Sequence, residues 1–242
     1  MMIKELAGWL PNRRLLYRQL CESLKSVITL PFYRPRENGI QTFFHDNYYV
    51  KKDGLVFDGT TSGYLSKISK AIDLKSLNDR TIIDLGCGKK TFYYWLVQNS
   101  VTPAKYIGID FSINDESEGI SCVVNDDITS IDRYLSGEKN IVVMSNSLCY
   151  MHDTKINTVL SKIRTGDEVI ILDPSPNFFW DAHFNGIKPI YRNVEKVLYH
   201  LENSGFTLLN IVQDYWMKLF RVYLFPLSYC IYMVKSNDLL QM

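Results

Sequence analysis

Short apolar runs alternate with segments of helical spacing along the chain from Asp79 onward. Runs rich in Ile, Val and Leu are typical of buried parallel strands, and apolar positions three or four residues apart are typical of amphipathic helices. The pattern predicts a mostly parallel sheet with helices between its strands. Strands are predicted near Thr81–Leu85, Lys105–Asp110, Ser121–Val124, Asn140–Ser145, Glu168–Asp173, Thr207–Gln213 and Tyr229–Lys235, and helices near Thr91–Asn99, Ile131–Leu135, Thr154–Lys162 and Tyr191–Ser204.

The last two predicted strands have no helical segment between them. Parallel neighbours need a long crossover connection, so we expect this pair to be an antiparallel hairpin at one edge of the sheet. The apolar segment from Leu219 to Val234 is interrupted by Arg221 and Pro226, and it is shorter than the roughly 20 residues that a membrane-spanning helix needs. We expect a loop followed by a buried strand there, and no membrane association.

The N-terminal part has a different pattern. Apolar positions from Ile3 to Leu30 recur at helical spacing with an interruption at Pro11, and helical spacing returns from Leu65 to Leu74 after a loop rich in proline and glycine. We predict a helical cap or lid over residues 1–76 and an α/β domain over residues 77–242. The alternative is a structural helix pair packed elsewhere on the sheet.

The strand Thr81–Leu85 contains Asp84 and runs directly into Gly86-Cys87-Gly88. Two glycines spaced by one residue tolerate positive φ and let backbone N–H groups come close to a ligand. The next apolar strand ends in Asp110, where nucleotide-binding α/β units place the acid that holds ribose hydroxyls. Together these features favour a nucleotide site over an ordinary tight turn.

These residues resemble the first two sequence motifs of class I S-adenosylmethionine-dependent methyltransferases. The resemblance implies a Rossmann-like, seven-stranded, mostly parallel sheet with an antiparallel C-terminal hairpin, and S-adenosylmethionine as the cofactor. The chain departs from the family at Lys90, where many members have a third glycine. The resemblance covers about Leu77 to Lys235 and continues through Asn125-Asp126-Asp127-Ile128, the segment Val143–Asp153, the fifth strand Val169–Pro174 and the corner Leu201–Phe206.

The resemblance also implies roles for individual residues. Asp84 faces the amino-acid end of the cofactor, directly or through water, because a carboxylate complements an ammonium. Asp110 takes both ribose hydroxyls with its two acceptor oxygens. Asp127 accepts a hydrogen bond from the adenine amino group, and Asp126 is the alternative residue for this role. The alternative explanation for both acids is that they form a solvated acidic turn. The predicted cofactor-binding residues are Asp84, Gly86, Cys87, Gly88, Asp110, Phe111, Asp127, Ile128, Ser145 and Asn146.

Tyr150 and His152 follow the fourth predicted strand, at the edge where open α/β sheets hold ligands. They are the candidate catalytic residues, since a hydroxyl or ammonium acceptor must lose a proton and the imidazole pKa lies near neutrality. The alternative for His152 is a helix cap or a side chain that faces water. Displacement at a methyl carbon depends mainly on proximity and alignment, so a strong base is not required. We predict no metal site.

Aromatic residues from separate parts of the chain are predicted to close over this edge and line an acceptor chamber. A methylsulfonium is a cation that aromatic faces attract, and a dry chamber keeps water away from it. Ordinary packing explains most aromatic residues equally well. Asp173-Pro174-Ser175-Pro176-Asn177 is interpreted as a rigid turn that leads into Phe178-Phe179-Trp180. The predicted acceptor-binding residues are Tyr48, Tyr49, Tyr64, Trp180 and Trp216.

Composition narrows the class of partner. The 242 residues include 27 Lys and Arg against 26 Asp and Glu, so no basic excess exists to attract a nucleic acid. The five cysteines contain no C-x-x-C pair and are expected to be free thiols. Charges near the N-terminus without an apolar run do not fit a secretory signal, and we expect a cytoplasmic protein.

The sequence therefore predicts an enzyme that transfers the methyl group of S-adenosylmethionine to a small molecule, as in specialised metabolism. Two alternatives stay open. One is an enzyme that cyclises S-adenosylmethionine and releases methylthioadenosine, and the other is a non-catalytic nucleoside-binding or scaffold protein. The sequence does not identify the acceptor, the methylated atom or the oligomeric state.

Overall fold

The computed structural model of the protein describes residues 65–137, 139–174, 190–219 and 222–236, with the backbone alone for 214–219 and 222–227. Most of the predicted cap over residues 1–76 lies outside these ranges. The same holds for Tyr48, Tyr49, Tyr64 and Trp180, and Trp216 is described only by its backbone.

An eight-stranded sheet with the strand order β3-β4-β2-β1-β5-β6-β8-β7 organises the described residues. The five neighbours β4, β2, β1, β5 and β6 pair in parallel, and β3, β8 and β7 pair antiparallel. The strands are β1 (Thr81–Leu85), β2 (Lys105–Ile109), β3 (Glu116–Glu118), β4 (Ser121–Val124), β5 (Ile141–Ser145), β6 (Glu168–Pro174), β7 (Phe206–Leu219) and β8 (Val222–Lys235). The mostly parallel sheet and its antiparallel C-terminal pair are confirmed.

The prediction of seven strands is wrong by one short edge strand. All three residues of β3 are exposed, and they pair with β4 through Ser117 opposite Cys122. A strand without a buried face lacks the alternation of apolar and polar positions on which sequence prediction depends.

Helices cover both faces of the sheet. They are α1 (Ile68–Ala71), α2 (Thr91–Gln98), α3 (Asp153–Lys162) and α4 (Val194–Asn203), with 3₁₀ turns at Leu74–Leu77, Ile128–Arg133 and Leu148–Tyr150. The helix predicted near Ile131–Leu135 is thus a 3₁₀ turn that begins earlier, because the Asp127 side chain caps its first N–H groups.

Two clusters of buried apolar side chains form the core, one on each face. Alternate residues of each strand enter opposite clusters, so Ile83 packs with α3 and α4 while Ile82 packs with α1 and α2. Burial of each such side chain stabilises the fold by about 1.5–3 kcal/mol. The two layers of helices hold the carboxyl ends of the central strands at one edge.

The C-terminal hairpin is longer than predicted. The pairing of β6 with β8 ends at Pro174 opposite Ser228, whereas β7 and β8 remain paired to Leu219 opposite Val222. From Val222 onward the expected loop is therefore strand, and this two-stranded ribbon extends past the carboxyl end of β6. Pro226 is tolerated because it lies beyond the part of β8 that pairs with β6, next to an irregularity at Asp214 and Tyr215.

Candidate functional site

The turn after β1 is built on glycines with positive φ. Gly86 has φ +77° and Gly88 has φ +52°. A Cβ added to Gly86 would lie 2.7 Å from the Cβ of Ser147, so the turn packs directly against the loop after β5. The Ser147 hydroxyl is buried at this contact and has no hydrogen-bond partner in the described part of the chain. Sequence analysis did not single out Ser147.

Cys87 fills the space that a glycine in the neighbouring strand leaves open. A Cβ added to Gly108 would lie 2.4 Å from the Cys87 Sγ. The thiol is buried, and burial followed by the charges of Asp84 and Asp110 raises its pKa well above the usual value. The side chain of Cys87 is thus a packing group, and only its backbone can face the predicted cofactor.

Lys90 occupies the position where the family pattern has a third glycine, and it shows why the exchange is tolerated. Its backbone keeps the left-handed conformation, with φ +56°. Its buried side chain donates to Glu116 Oε1 at 2.7 Å and lies 3.5 Å from Glu118 Oε2. The ammonium therefore pairs with β3 and does not enter the turn.

Asp84 is a buried carboxyl at the carboxyl end of β1. Tyr106 donates to its Oδ2 at 2.5 Å. Burial raises the pKa of Asp84 to about 7; the Tyr106 hydrogen bond opposes this shift and the charge of Asp110 adds to it. Near neutral pH this carboxyl is balanced between its two protonation states, and a cationic ligand would ionise it.

Asp110 holds the glycine turn from the end of β2. Its Oδ2 accepts from the Gly88 N–H at 2.9 Å, and its Oδ1 accepts from the backbone N–H and hydroxyl of Ser112 at 2.9 and 2.5 Å. Three of the roughly four lone-pair sites of this carboxylate are thereby occupied, so one on Oδ2 remains for a ligand hydroxyl, and a second hydroxyl would have to displace that of Ser112. The structure brings Asp110, Gly88 and Asp84 to one edge.

The two acids after β4 have different partners. Asp126 accepts from the Tyr134 hydroxyl at 2.8 Å and the Asp127 N–H at 2.7 Å. Asp127 caps the Thr129 N–H at 2.8 Å and pairs with Lys155 at 2.7 Å. Both acids are partly exposed and both are engaged by neighbouring groups, so the choice of Asp127 over Asp126 stays a prediction.

The candidate residues in the loop after β5 differ in how far they are exposed to solvent. Asn146 is exposed with φ +55°, and its N–H donates to the Leu172 carbonyl at 2.8 Å. Tyr150 is half-buried in a 3₁₀ turn. His152 precedes α3 and its exposed side chain makes no capping hydrogen bond, so it faces solvent.

Arg192 is a buried arginine that the sequence pattern did not reveal. Its guanidinium donates to the carbonyls of Leu148 at 3.1 Å and Met151 at 2.6 Å, and it pairs with Asp153 at 2.7 Å. These bonds join the start of α4 to the loop after β5 and to the first residue of α3. Arg192 therefore fixes the loop that packs against Gly86.

Asp173 is a second residue that sequence analysis misjudged. It is fully buried at the end of β6. Burial raises its pKa to about 8, against the opposing influence of the Arg192 charge and of hydrogen bonds from the backbone and thiol of Cys149. The interpretation of Asp173 and Pro174 as a turn is wrong, because both belong to β6, and the remainder of that predicted turn, residues 175–177, lies outside the described residues.

The other features of the described residues are weaker candidates for a functional site than this edge of the sheet. A cavity of about 530 Å³ lies between α3, α4 and the end of β8, lined by Tyr199, His200 and Lys235 among others. The Lys235 ammonium there is bonded to the Leu160 and Ser204 carbonyls. No group of His, Cys, Asp and Glu in the described ranges is arranged to hold a metal ion, and no helix in them could span a membrane.

The chain matches no protein-family model and no curated protein sequence. Its fold is similar to that of magnesium protoporphyrin IX methyltransferase from Synechocystis PCC 6803 with bound SAH, with 15% identity and a TM-score of 0.55 over 81% of this chain and 98% of that one. A SAM-dependent methyltransferase from Archaeoglobus fulgidus has 16% identity and a TM-score of 0.52 over 73% and 93% of the two chains. One from Mesorhizobium loti has 14% identity and a TM-score of 0.52 over 75% and 100%.

These neighbours show that the chain has the fold of class I S-adenosylmethionine-dependent methyltransferases. The resemblance inferred from the sequence motifs is thereby confirmed at the level of the fold. The roles assigned to individual site residues stay predictions.

Proposed function

We propose that the protein is an S-adenosylmethionine-dependent methyltransferase that acts on a small-molecule acceptor. One observation carries the proposal. At the carboxyl edge of a methyltransferase fold, Asp110 accepts from the Gly88 N–H of a glycine turn that packs against the loop after β5. That arrangement supports a nucleoside pocket across β2, β1 and β5, and the Synechocystis neighbour was crystallised with SAM or SAH bound.

The polar groups along this edge match the cofactor from one end to the other. The Asp84 carboxyl would face the ammonium of the amino-acid end, and Asp110 the ribose hydroxyls. Asp127, with the Ile128 N–H, would read adenine. Phe111, Ser145 and Asn146 complete the predicted wall, and the backbone of Cys87 lies between the two glycines.

The reaction is a displacement at the methyl carbon. The acceptor nucleophile forms a bond to this carbon while the carbon–sulfur bond breaks, and the electron pair of that bond stays on the sulfur. The protein contributes proximity and alignment, together with exclusion of water. Tyr150 and His152 remain candidates for accepting the proton of the methyl acceptor, and the His152 side chain is exposed to solvent.

Two properties support a small-molecule acceptor. The chain carries a formal net charge of +1 and has no excess of basic residues for a polyanion. The Synechocystis neighbour is named for a small tetrapyrrole acceptor, magnesium protoporphyrin IX. The predicted chamber residues Tyr48, Tyr49, Tyr64, Trp180 and Trp216 remain part of this proposal, as do the cap and a cytoplasmic location.

Product analysis tests the reaction. We would incubate the purified full chain with S-adenosylmethionine and a small-molecule fraction of a cell extract, and identify the nucleoside product by mass spectrometry. With S-adenosylmethionine at a micromolar concentration, we expect the full chain to form S-adenosylhomocysteine and its Asp110→Ala variant to form much less. Methylthioadenosine in its place would show cyclisation, and no turnover together with tight binding would favour a non-catalytic protein.

A further inference from the structure

Lys90 is buried at a position that is unfavourable for a lysine in three ways. It is 3% exposed, has φ +56° and is the N-cap residue of α2. Burial penalises an ammonium, the left-handed conformation is costly for a residue with a Cβ, and the N-terminus of a helix disfavours a positive charge. Backbone strain of this kind is concentrated at binding sites and switch regions.

The compensation comes from β3, the exposed edge strand that the sequence pattern did not predict. The Lys90 Nζ donates to Glu116 Oε1 at 2.7 Å and lies 3.5 Å from Glu118 Oε2. Although burial opposes the charge, the hydrogen bond to Glu116 raises the pKa of Lys90, so the ammonium stays charged at neutral pH. All three residues of β3 are exposed, so ion pairing rather than apolar packing attaches the strand to the glycine turn.

This ion pair is one of two ties between the glycine turn and the loop after β2. At the start of the loop, Asp110 accepts from the Gly88 N–H at 2.9 Å. At its end, Glu116 pairs with Lys90, two residues after Gly88. The loop of residues 111–115 is therefore held at both ends by the same turn.

The loop lies between the residues that are proposed to bind the nucleoside. Asp110 precedes it and Phe111 is its first residue. Asp115 accepts from the Asn125 N–H at 2.6 Å, which joins the loop to the segment after β4, two residues before Asp127. The position of the loop therefore affects how the proposed ribose and adenine contacts face one another.

We propose that Lys90 is a positioning residue for the nucleoside end of the cofactor, and that its pair with Glu116 holds the loop 111–115 against the glycine turn before the ligand binds. The inference rests on the proposed function. A loop that is already ordered loses less conformational entropy when the ligand binds, so the affinity is higher. By linkage, a bound nucleoside stabilises the same loop position in return. A glycine at position 90 would relieve the strain and could not supply this tie.

The test first separates the ammonium from the rest of the lysine side chain. Lys90→Met keeps an unbranched apolar stem and removes the charge, and the Glu116 carboxylate that it leaves behind is 51% exposed and stays hydrated. We expect the midpoint of urea unfolding to change little, while the affinity for S-adenosylhomocysteine falls about fivefold. The affinity for methylthioadenosine, which lacks the amino-acid end, should fall by the same factor.

Two glutamate variants supply the partner and a matched control. Glu116→Gln removes the short ion pair, and Glu118→Gln removes an equal charge from a carboxylate that is 73% exposed and 3.5 Å from the ammonium. Glu116→Gln should weaken binding about as much as Lys90→Met, and the double variant should bind no more weakly than either. Glu118→Gln should change the affinity by less than about twofold.

Hydrogen exchange measured by mass spectrometry reports the position of the loop itself. Exchange over residues 110–118 should be faster in Lys90→Met and in Glu116→Gln than in the unmodified protein, with exchange in β1 and β5 unchanged. Saturating S-adenosylhomocysteine should restore the protection, as linkage requires. Loss of global stability alone would speed exchange in the central strands as well.

Several results would overturn the inference and leave the proposed function intact. These are an unchanged affinity in Glu116→Gln, additive losses in the double variant, a loss for S-adenosylhomocysteine but not for methylthioadenosine, and unchanged exchange in the loop. If Lys90→Met does not fold, the comparison of Glu116→Gln with Glu118→Gln decides, and equal affinities of these two variants overturn the inference. If the unmodified protein binds neither ligand, the proposed function and the inference both fail.

Discussion

Two buried carboxyl groups dominate the electrostatics of the described residues at the carboxyl edge. Burial raises the pKa of Asp84 to about 7 and that of Asp173 to about 8. A hydrogen bond from Tyr106 opposes the shift at Asp84, and the Arg192 charge and the backbone and thiol of Cys149 oppose it at Asp173. Both carboxyls therefore change protonation state within the range of pH that can be studied in the folded protein.

The affinity for S-adenosylhomocysteine should depend on the ionisation of Asp84. The free protein holds the proton below about pH 7, and the ligand ammonium favours the carboxylate. Affinity therefore rises with pH by up to about tenfold per unit below pH 7 and levels off above it. Titrations between pH 5.5 and 7.5 measure the profile, and Asp84→Asn should flatten it. A flat profile in the unmodified protein would mean that Asp84 does not meet the ammonium.

Asp173 should make folding stability fall as pH rises. Its pKa is near 3.8 in the unfolded chain and about 8 in the folded one, so the folded state binds more protons between these values. The free energy of unfolding then decreases by up to about 1.4 kcal/mol per pH unit across this window. Urea unfolding at pH 5 and pH 8 should show a larger loss for the unmodified protein than for Asp173→Asn. Equal losses would contradict the burial of this carboxyl.

Gly86→Val should abolish binding of S-adenosylhomocysteine while the sheet still folds. Valine at φ +77° is strained, and its Cβ would collide with that of Ser147. Calorimetry measures affinity and far-ultraviolet circular dichroism measures folding. Gly166→Val is the matched control, because Gly166 has φ +84° with open space around it. Retained affinity in Gly86→Val would reduce Gly86 to an ordinary turn residue.

At the scale of elements, Arg192 links three segments that carry the site. It joins the loop after β5, the start of α3 and the approach to α4 through buried hydrogen bonds and the Asp153 carboxylate. The Ser147 side of this loop packs against the glycine turn. The position of the cofactor turn therefore depends on a residue that makes no predicted ligand contact.

Arg192→Met should destabilise the protein by about 1–3 kcal/mol for each buried carbonyl that it leaves unpaired, those of Leu148 and Met151, while Asp153 keeps Lys196 as its partner. The affinity of the Arg192→Met variant for S-adenosylhomocysteine should also be lower than that of the unmodified protein. Lys196→Ala is the control, since Lys196 also pairs with Asp153 but is 48% exposed, and its removal should cost at most about 1 kcal/mol. Urea unfolding compares the two. If both substitutions lowered the free energy of unfolding by a similar amount, Arg192 would contribute no more than a residue in a surface ion pair.

Sequence prediction was accurate for elements that are buried and whose apolar positions recur regularly. The five parallel strands were predictable because both of their faces are apolar. The positive φ of Gly86 and the place of Asp110 after β2 were predictable because a glycine turn and a strand-end acid have characteristic positions, and the roles of both residues in binding stay predictions. The exposed strand β3 had no such pattern. Arg192 and Asp173 were missed because a single polar residue shows its burial and its partners only after the chain has folded.

At the scale of the whole molecule, strand order assembles the site. The parallel order brings residues from β1, β2, β4 and β5 to one edge, although the chain between Asp84 and Asn146 forms several intervening elements. The extended ribbon of β7 and β8 adds backbone beyond the end of β6. Ligands of open α/β sheets bind at this carboxyl edge, and the proposed function follows from that placement.

The most direct measurement of the central claim is a calorimetric titration of the full chain with S-adenosylmethionine, repeated with Asp110→Ala. We predict a dissociation constant in the micromolar range for the unmodified protein. The variant should lose about 1–3 kcal/mol of binding free energy, because two ribose hydroxyls lose their acceptor. Circular dichroism should show that the variant is folded. Absence of binding by the unmodified protein, or equal affinity in Asp110→Ala, would contradict a nucleoside site at this edge.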